Sequence, residues 1–130
     1  MNPLGNCSLS ISASNLNFEL LNRLKVVPTT VVRRGQLITT KSAAPYDIWI
    51  LEVDVTEQIS IDLALEKLIH PLRKAKQELN FIKNQYEVTL NCYLRSDYGQ
   101  LGIQISPAVI QLIGELELGL NFHILSYSGV

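Results

Sequence analysis

The sequence predicts an α+β fold, a two-layer sandwich in which a mainly antiparallel sheet carries helices on one face. Three observations predict it. Residues 7–13 and 86–95 alternate apolar and polar side chains with the period of two that a half-buried strand requires. Ile59 to Gln85 instead sets Ile61, Leu65, Leu68, Leu72, Ala75, Leu79 and Ile82 alternately four and three residues apart, which keeps one helical face apolar over roughly six turns. Repeats, low-complexity tracts and linkers are absent, so residues 1–130 are expected to form a single domain.

The first strand turns Cys7, Leu9, Ile11 and Ala13 inward and Ser8, Ser10 and Ser12 outward. Asn17 is the expected N-cap of a short helix, with Leu16 and Leu21 placed as a hydrophobic staple. Leu20, Leu21, Leu24 and Val27 form its apolar side and Pro28 ends it. Thr29 to Val32 is β-branched enough for a short strand, and Arg33-Arg34-Gly35 reads as a turn. Gln36 to Pro45 lacks periodicity and is expected to be a loop. Tyr46 to Val55 is the next strand, with Trp49, Leu51, Val53 and Val55 opposite Ile48, Ile50, Glu52 and Asp54.

Ser60 is the expected N-cap of the long helix, with Asp62 in its first turn where the helix dipole favours a carboxylate. A straight helix from Ile61 to Asn84 would be about 36 Å long, against a radius of gyration near 14 Å for a domain of this size. Pro71 lacks the N–H that would reach the Lys67 carbonyl and disfavours helical geometry at His70, so a kink or two successive helices are expected there. The apolar stripe keeps its phase across the proline, which places both halves on one sheet face.

Tyr86, Val88, Leu90, Cys92 and Leu94 alternate with Glu87, Thr89, Asn91, Tyr93 and Arg95 as another strand. Ser96-Asp97-Tyr98-Gly99 reads as a turn, and Leu101, Ile103 and Ile105 as the second arm of a β-hairpin. Ser106-Pro107 starts a helix, with Ile105 and Ile110 as its staple; Ile110, Ile113, Leu116 and Leu118 form its apolar side and Gly119 its C-terminal stop. Leu120 to Tyr127 is the last strand. The order β-α-β-β-α-β up to Leu94 is that of a ferredoxin-like core, to which the last elements add a strand, a helix and a strand.

Composition narrows the function. Apolar residues at 47% and charged residues at 18% suit a globular domain, and a net charge of −1 gives no general attraction to nucleic acid or an acidic membrane. Met1 to Ser10 has neither a basic start nor an apolar core of the secretory kind, and the longest apolar runs fall far short of a bilayer span, so a cytoplasmic protein is expected. Cys7 and Cys92 both fall on the inward side of strands, where buried reduced thiols are the expected state and a disulfide the less common one.

Leu24-Lys25-Val26-Val27-Pro28-Thr29 after the first helix, Gly35, Trp49, the leucine-rich helix through Leu68 and the ending Leu118-Gly119-Leu120-Asn121-Phe122-His123-Ile124 carry a resemblance over nearly the whole chain. On these residues the chain resembles the bacterial domain-of-unknown-function family numbered 4279. The resemblance implies a compact α+β domain of bacterial type and supplies no activity, substrate or site residue. The family is often polar in the loop after the first helix. This chain departs from it at Val31, Val32, Leu37 and Ile38, which argues against a mobile loop there.

The candidate chemistry is sparse. Glu52 and Asp54 lie roughly 7 Å apart on one strand face, a spacing suited to a cation or an acid–base pair but also to the solvent end of a strand. His70 sits at the helix break. His123 belongs on a polar sheet face with Asn91, Tyr93 and Arg95. Two histidines without a cysteine or acid at ligand spacing do not make a metal site, and no nucleophile elbow or phosphate loop is present. The basic side of the long helix (Lys67, Arg73, Lys74, Lys76 and Lys83, with Glu66 and Glu78) reads as a solvated face and not a nucleic-acid patch.

The reading that follows is a non-catalytic binding module with no cofactor, which uses the open polar sheet face for another protein or for its own homodimer. Its face comprises Ser8, Ser10, Ser12, Asn91, Tyr93, Arg95 and His123, with Glu52 and Asp54 at one side. A small ligand-binding domain or enzyme with a pocket near Glu52, Asp54, Tyr93 and His123 is the alternative.

Overall fold

The computed structural model of the chain describes residues 4–96 and 102–126. In chain order its elements are β1 (Gly5–Ala13), α1 (Phe18–Asn22), β2 (Thr30–Val32), β3 (Leu37–Thr39), β4 (Ser42–Ala43) and β5 (Asp47–Val55). There follow α2 (Ile61–Ile69), a 3₁₀ segment (His70–Ala75), α3 (Lys76–Gln85), β6 (Glu87–Ser96), α4 (Pro107–Glu115) and β7 (Leu120–Ser126). The fold is α+β, as the residue patterns predict. Five strands make one sheet in the order β2–β5–β1–β6–β7, while β3 and β4 pair separately. β1 runs antiparallel to both its neighbours, β2 antiparallel to β5, and β7 parallel to β6.

The inward strand positions and the helical stripe meet in one core. Cys7, Leu9, Ile11, Trp49, Leu90 and Cys92 from the sheet pack in a single cluster with Leu65, Leu68, Ile69, Leu72, Leu79 and Ile82 from the helices. Full burial of one such leucine stabilises by roughly 1.5–3 kcal/mol, so the stripe accounts for most of what holds helix to sheet. The break falls where Pro71 requires it. α2 stops at Ile69, six residues continue as 3₁₀ helix, and α3 resumes with Leu79 and Ile82 still facing the core. Ser60 caps α2 through a bond from the Leu63 N–H, and Asn17 caps α1 through bonds from Glu19 and Leu20. Asp62 does more than face a helix dipole: its Oδ1 accepts the Ser106 N–H at 2.7 Å, joining the starts of α2 and α4. Asp47, buried at the start of β5, accepts the Leu16 and Arg34 N–H groups at 2.9 and 2.6 Å.

Several expectations are corrected. Among the described residues the expected second arm of the hairpin after β6 is not a strand. Gly102 to Ser106, including Ile103 and Ile105, lie outside any strand, and β6 pairs in parallel with β7 after the α4 crossover. The turn expected at Asp97, Tyr98 and Gly99 and the strand residue Leu101 lie outside the described residues, as does Tyr127. The segment expected as a loop before β5 is the β3–β4 hairpin, with Leu37 and Ile38 exposed. α1 ends at Asn22, and Val27 is 86% exposed because Lys25, at φ +61°, turns the chain before Pro28. In α4 the buried positions are Val109, Leu112 and Leu116; Ile110 is 57% exposed and no staple residue. The left-handed residue that ends α4 is Glu117 at φ +53°, where bonds from Glu117 and Leu118 back to Gly114 and Ile113 form a Schellman turn.

Candidate functional site

Because residues directly opposite one another share a sheet face, the registers place the predicted polar residues. One row runs Asp54, Asn6, Tyr93, His123 across β5, β1, β6 and β7; the next runs Glu52, Ser8, Asn91, Asn121. Ser10, Ser12 and Arg95 complete the face, which is opposite to the inward Cys7, Leu9 and Ile11.

Only part of the set converges. The Tyr93 and His123 rings stack across β6 and β7 with centroids 4.6 Å apart and planes 15° apart. His123 Nε2 lies 3.1 Å from Asn91 Oδ1, and since an amide oxygen accepts but does not donate, the imidazole N–H is the donor. Asn91 Nδ2 in turn donates to Thr89 Oγ1 at 3.1 Å. The Thr89–Asn91–His123–Tyr93 chain is therefore made wholly of side chains from β6 and β7. Glu52 and Asp54 do not join it. Three strand spacings of about 4.8 Å separate Asp54 from His123, and β1 and β6 lie between them. The four-residue pocket is thus not assembled. His70 lies elsewhere, in a surface groove with Arg23, Lys25, Arg73 and Lys74.

A cavity of about 480 Å³ opens at the margin of the stack, with Gly5, Asn6, Tyr93, Arg95, His123 and Leu125 among its lining residues. Gly5 is the residue that sequence reasoning missed. A Cβ there would meet the Tyr93 carbonyl oxygen, and lie 3.1 Å from the Leu94 backbone and side chain, so only glycine lets β1 approach β6 beside Tyr93. Nothing about a glycine before an alternating run signals this; it depends on which strand lies alongside.

Among the described residues β7 is the last strand of the sheet on this side. Its residues, Leu-Asn-Phe-His-Ile-Leu-Ser, include no charge and no proline, the devices by which edge strands ordinarily resist pairing. Phe122, Ile124 and Leu125 are 40%, 51% and 54% exposed. The basic helix side is in part structural: Lys83 Nζ donates to the Leu116 and Glu117 carbonyls at 3.0 and 2.8 Å, and Arg73 pairs with Glu115 at 3.4 Å. Among the described residues no group of three or more His, Cys, Asp or Glu side chains is placed to hold a metal, and no helix is long and apolar enough to cross a membrane.

The family model described as "Domain of unknown function (DUF4279)" matches residues 3–127. No curated protein and no solved structure matches the chain.

Proposed function

The chain belongs to the DUF4279 family, and we propose that it is a non-catalytic binding module whose contact surface is the β6–β7 margin of the sheet. The occupant this margin fits first is a second copy of the chain. One observation carries the reading: β7 is a seven-residue edge strand, uncharged and free of proline, with three large apolar side chains exposed. An antiparallel pairing of two β7 strands about His123 sets Phe122 of one copy opposite Ile124 of the other and brings no like charges together. The Tyr93–His123 stack flanks that seam on the open face. The other sheet edge, β2, has only three residues.

Light scattering after size exclusion tests the proposal. The wild-type chain should run as a dimer at high micromolar concentration and Ile124→Lys as a monomer. A monomeric wild type under those conditions would remove the dimer and leave only a heterologous partner for the same edge.

A second reading rests on the cavity beside Tyr93 and His123, whose volume of about 480 Å³ falls within the roughly 300–1,000 Å³ common for small-molecule sites. It differs from the first in needing no second chain. Ligand-dependent shifts confined to the Tyr93 and His123 resonances of a monomer would favour it.

A further inference from the structure

The two cysteines of the chain meet in its core. Cys7 on β1 is the direct antiparallel partner of Cys92 on β6, both are wholly buried, and their Sγ atoms are 3.2 Å apart. The pairing type follows from the same ladder. The Arg95 N–H donates to the Leu4 carbonyl, so Leu4–Arg95 is a hydrogen-bonded pair, and three residues further along Cys7–Cys92 is a non-hydrogen-bonded one. Such pairs hold Cα atoms about 4.5 Å apart with side chains at their closest, inside the roughly 4.4–6.8 Å that a disulfide spans. The ladder therefore sets the two backbones at the short end of disulfide range, and the Sγ atoms at 3.2 Å are brought to bonding distance chiefly by side-chain rotation.

We propose that Cys7 and Cys92 are a redox modification site, joined as a cross-strand disulfide by exchange with a small-molecule disulfide of the glutathione class. The Cys92 thiolate attacks one sulfur of the oxidant and expels a first thiolate, leaving a mixed disulfide on Cys92. Cys7 gives its proton to that departing thiolate and attacks Cys92 Sγ, expelling the second, which takes up from water the proton that Cys92 released on ionising. Two protein thiols and one oxidant disulfide become one protein disulfide and two small thiols. In the closed pair the bond Cys7 makes to Cys92 and the burial of both push the Cys7 thiol up, while the same bond draws Cys92 down. Once the strands part that difference is lost, and either thiol can attack first.

Burial determines when exchange happens. With both sulfurs at 0% exposure, the oxidant reaches them when β1 and β6 separate, in local opening or during folding. The link closes a loop between positions 85 residues apart, which constrains the unfolded chain strongly. It also stitches β1 to β6 directly beneath Asn6, Asn91 and Tyr93.

The test is to unfold the protein and refold it in a glutathione buffer poised oxidising, with a native sample in the same buffer as the slow arm. Expected are loss of two hydrogens by mass, one digest peptide pair containing Cys7 and Cys92, and an unfolding midpoint raised by about 10 °C over the reduced protein. Cys7→Ser with Cys92→Ser should show neither the mass loss nor the rise, and Cys7→Ala with Cys92→Val serves if the serine pair does not fold. Two titratable thiols after refolding, cross-linking only between chains, or a linked protein with a lower midpoint would overturn the proposal.

Discussion

Tyr93 and His123 stack across the only parallel strand pair among the described residues, 4.6 Å between ring centroids, on the exposed face of the sheet. Their order comes from the strands beneath them. His123 is held by Asn91, itself only 7% exposed, and Tyr93 is set by a backbone whose approach to β1 depends on Gly5. Aromatic pairs contribute roughly 0.5–1.5 kcal/mol beyond area burial. A double-mutant cycle of Tyr93→Ala and His123→Ala, read by urea unfolding, should give a coupling near the lower end of that range because both rings are exposed. Strict additivity would show that the stack is incidental.

Gly5→Ala places a methyl group against the Tyr93 carbonyl and 3.1 Å from Leu94. Overpacking of this kind typically costs about 1–3 kcal/mol, and since the nearest atom is backbone, the upper half of that range is expected in denaturant unfolding. The β6 amide resonances around Tyr93 should move with it. An unchanged midpoint with unchanged resonances would contradict the close approach.

These residues divide what is legible in the chain from what is not. Ser8, Asn91, Tyr93 and His123 fall on one face by alternation alone, because side-chain direction in a strand is set locally. Pro71 breaks the long helix for an equally local reason, a missing donor. Strand order is not local. Glu52 and Asp54 look like neighbours of His123 until β1 and β6 come between them, and Gly5 has no visible role until β6 lies alongside. Ile103 and Ile105 alternate as a strand would, yet the partner place beside β6 is taken by β7 after a helical crossover. Gly119 is the better left-handed residue by type, but the Schellman bonds settle on Glu117.

That last choice is testable. Glu117 holds φ +53° at a position where glycine has no Cβ penalty. Glu117→Gly should stabilise the protein by up to about 1 kcal/mol, the relief of left-handed strain exceeding the added freedom of the unfolded chain. Urea unfolding reads the gain, and a loss of stability would show that the Glu117 side chain has an interaction worth more than the strain.

Asp47 makes a pH-dependent contribution. Bonds from the Arg34 and Leu16 N–H groups, aided by the Arg33 and Arg34 charges, hold its carboxyl below the usual carboxylate range despite burial. Stability from a lowered carboxylate is complete above the unfolded value, about 3.9, and disappears as pH falls through the folded one. Asp47→Asn keeps one acceptor where two are used, so its unfolding midpoint should lie below wild type at pH 7, with the gap closing below about pH 4. A gap that persists unchanged into acid would mean that the charge is irrelevant.

The central claim, that β7 is an edge made to be paired, is tested most directly by amide hydrogen exchange along Leu120–Ser126 as protein concentration rises. In a parallel edge strand alternate amides point to β6 and the rest point outward. The account predicts that the outward amides of β7 become protected at high concentration in wild type and stay fast in Ile124→Lys. Outward amides that exchange at the same fast rate at every concentration in the wild type would contradict it.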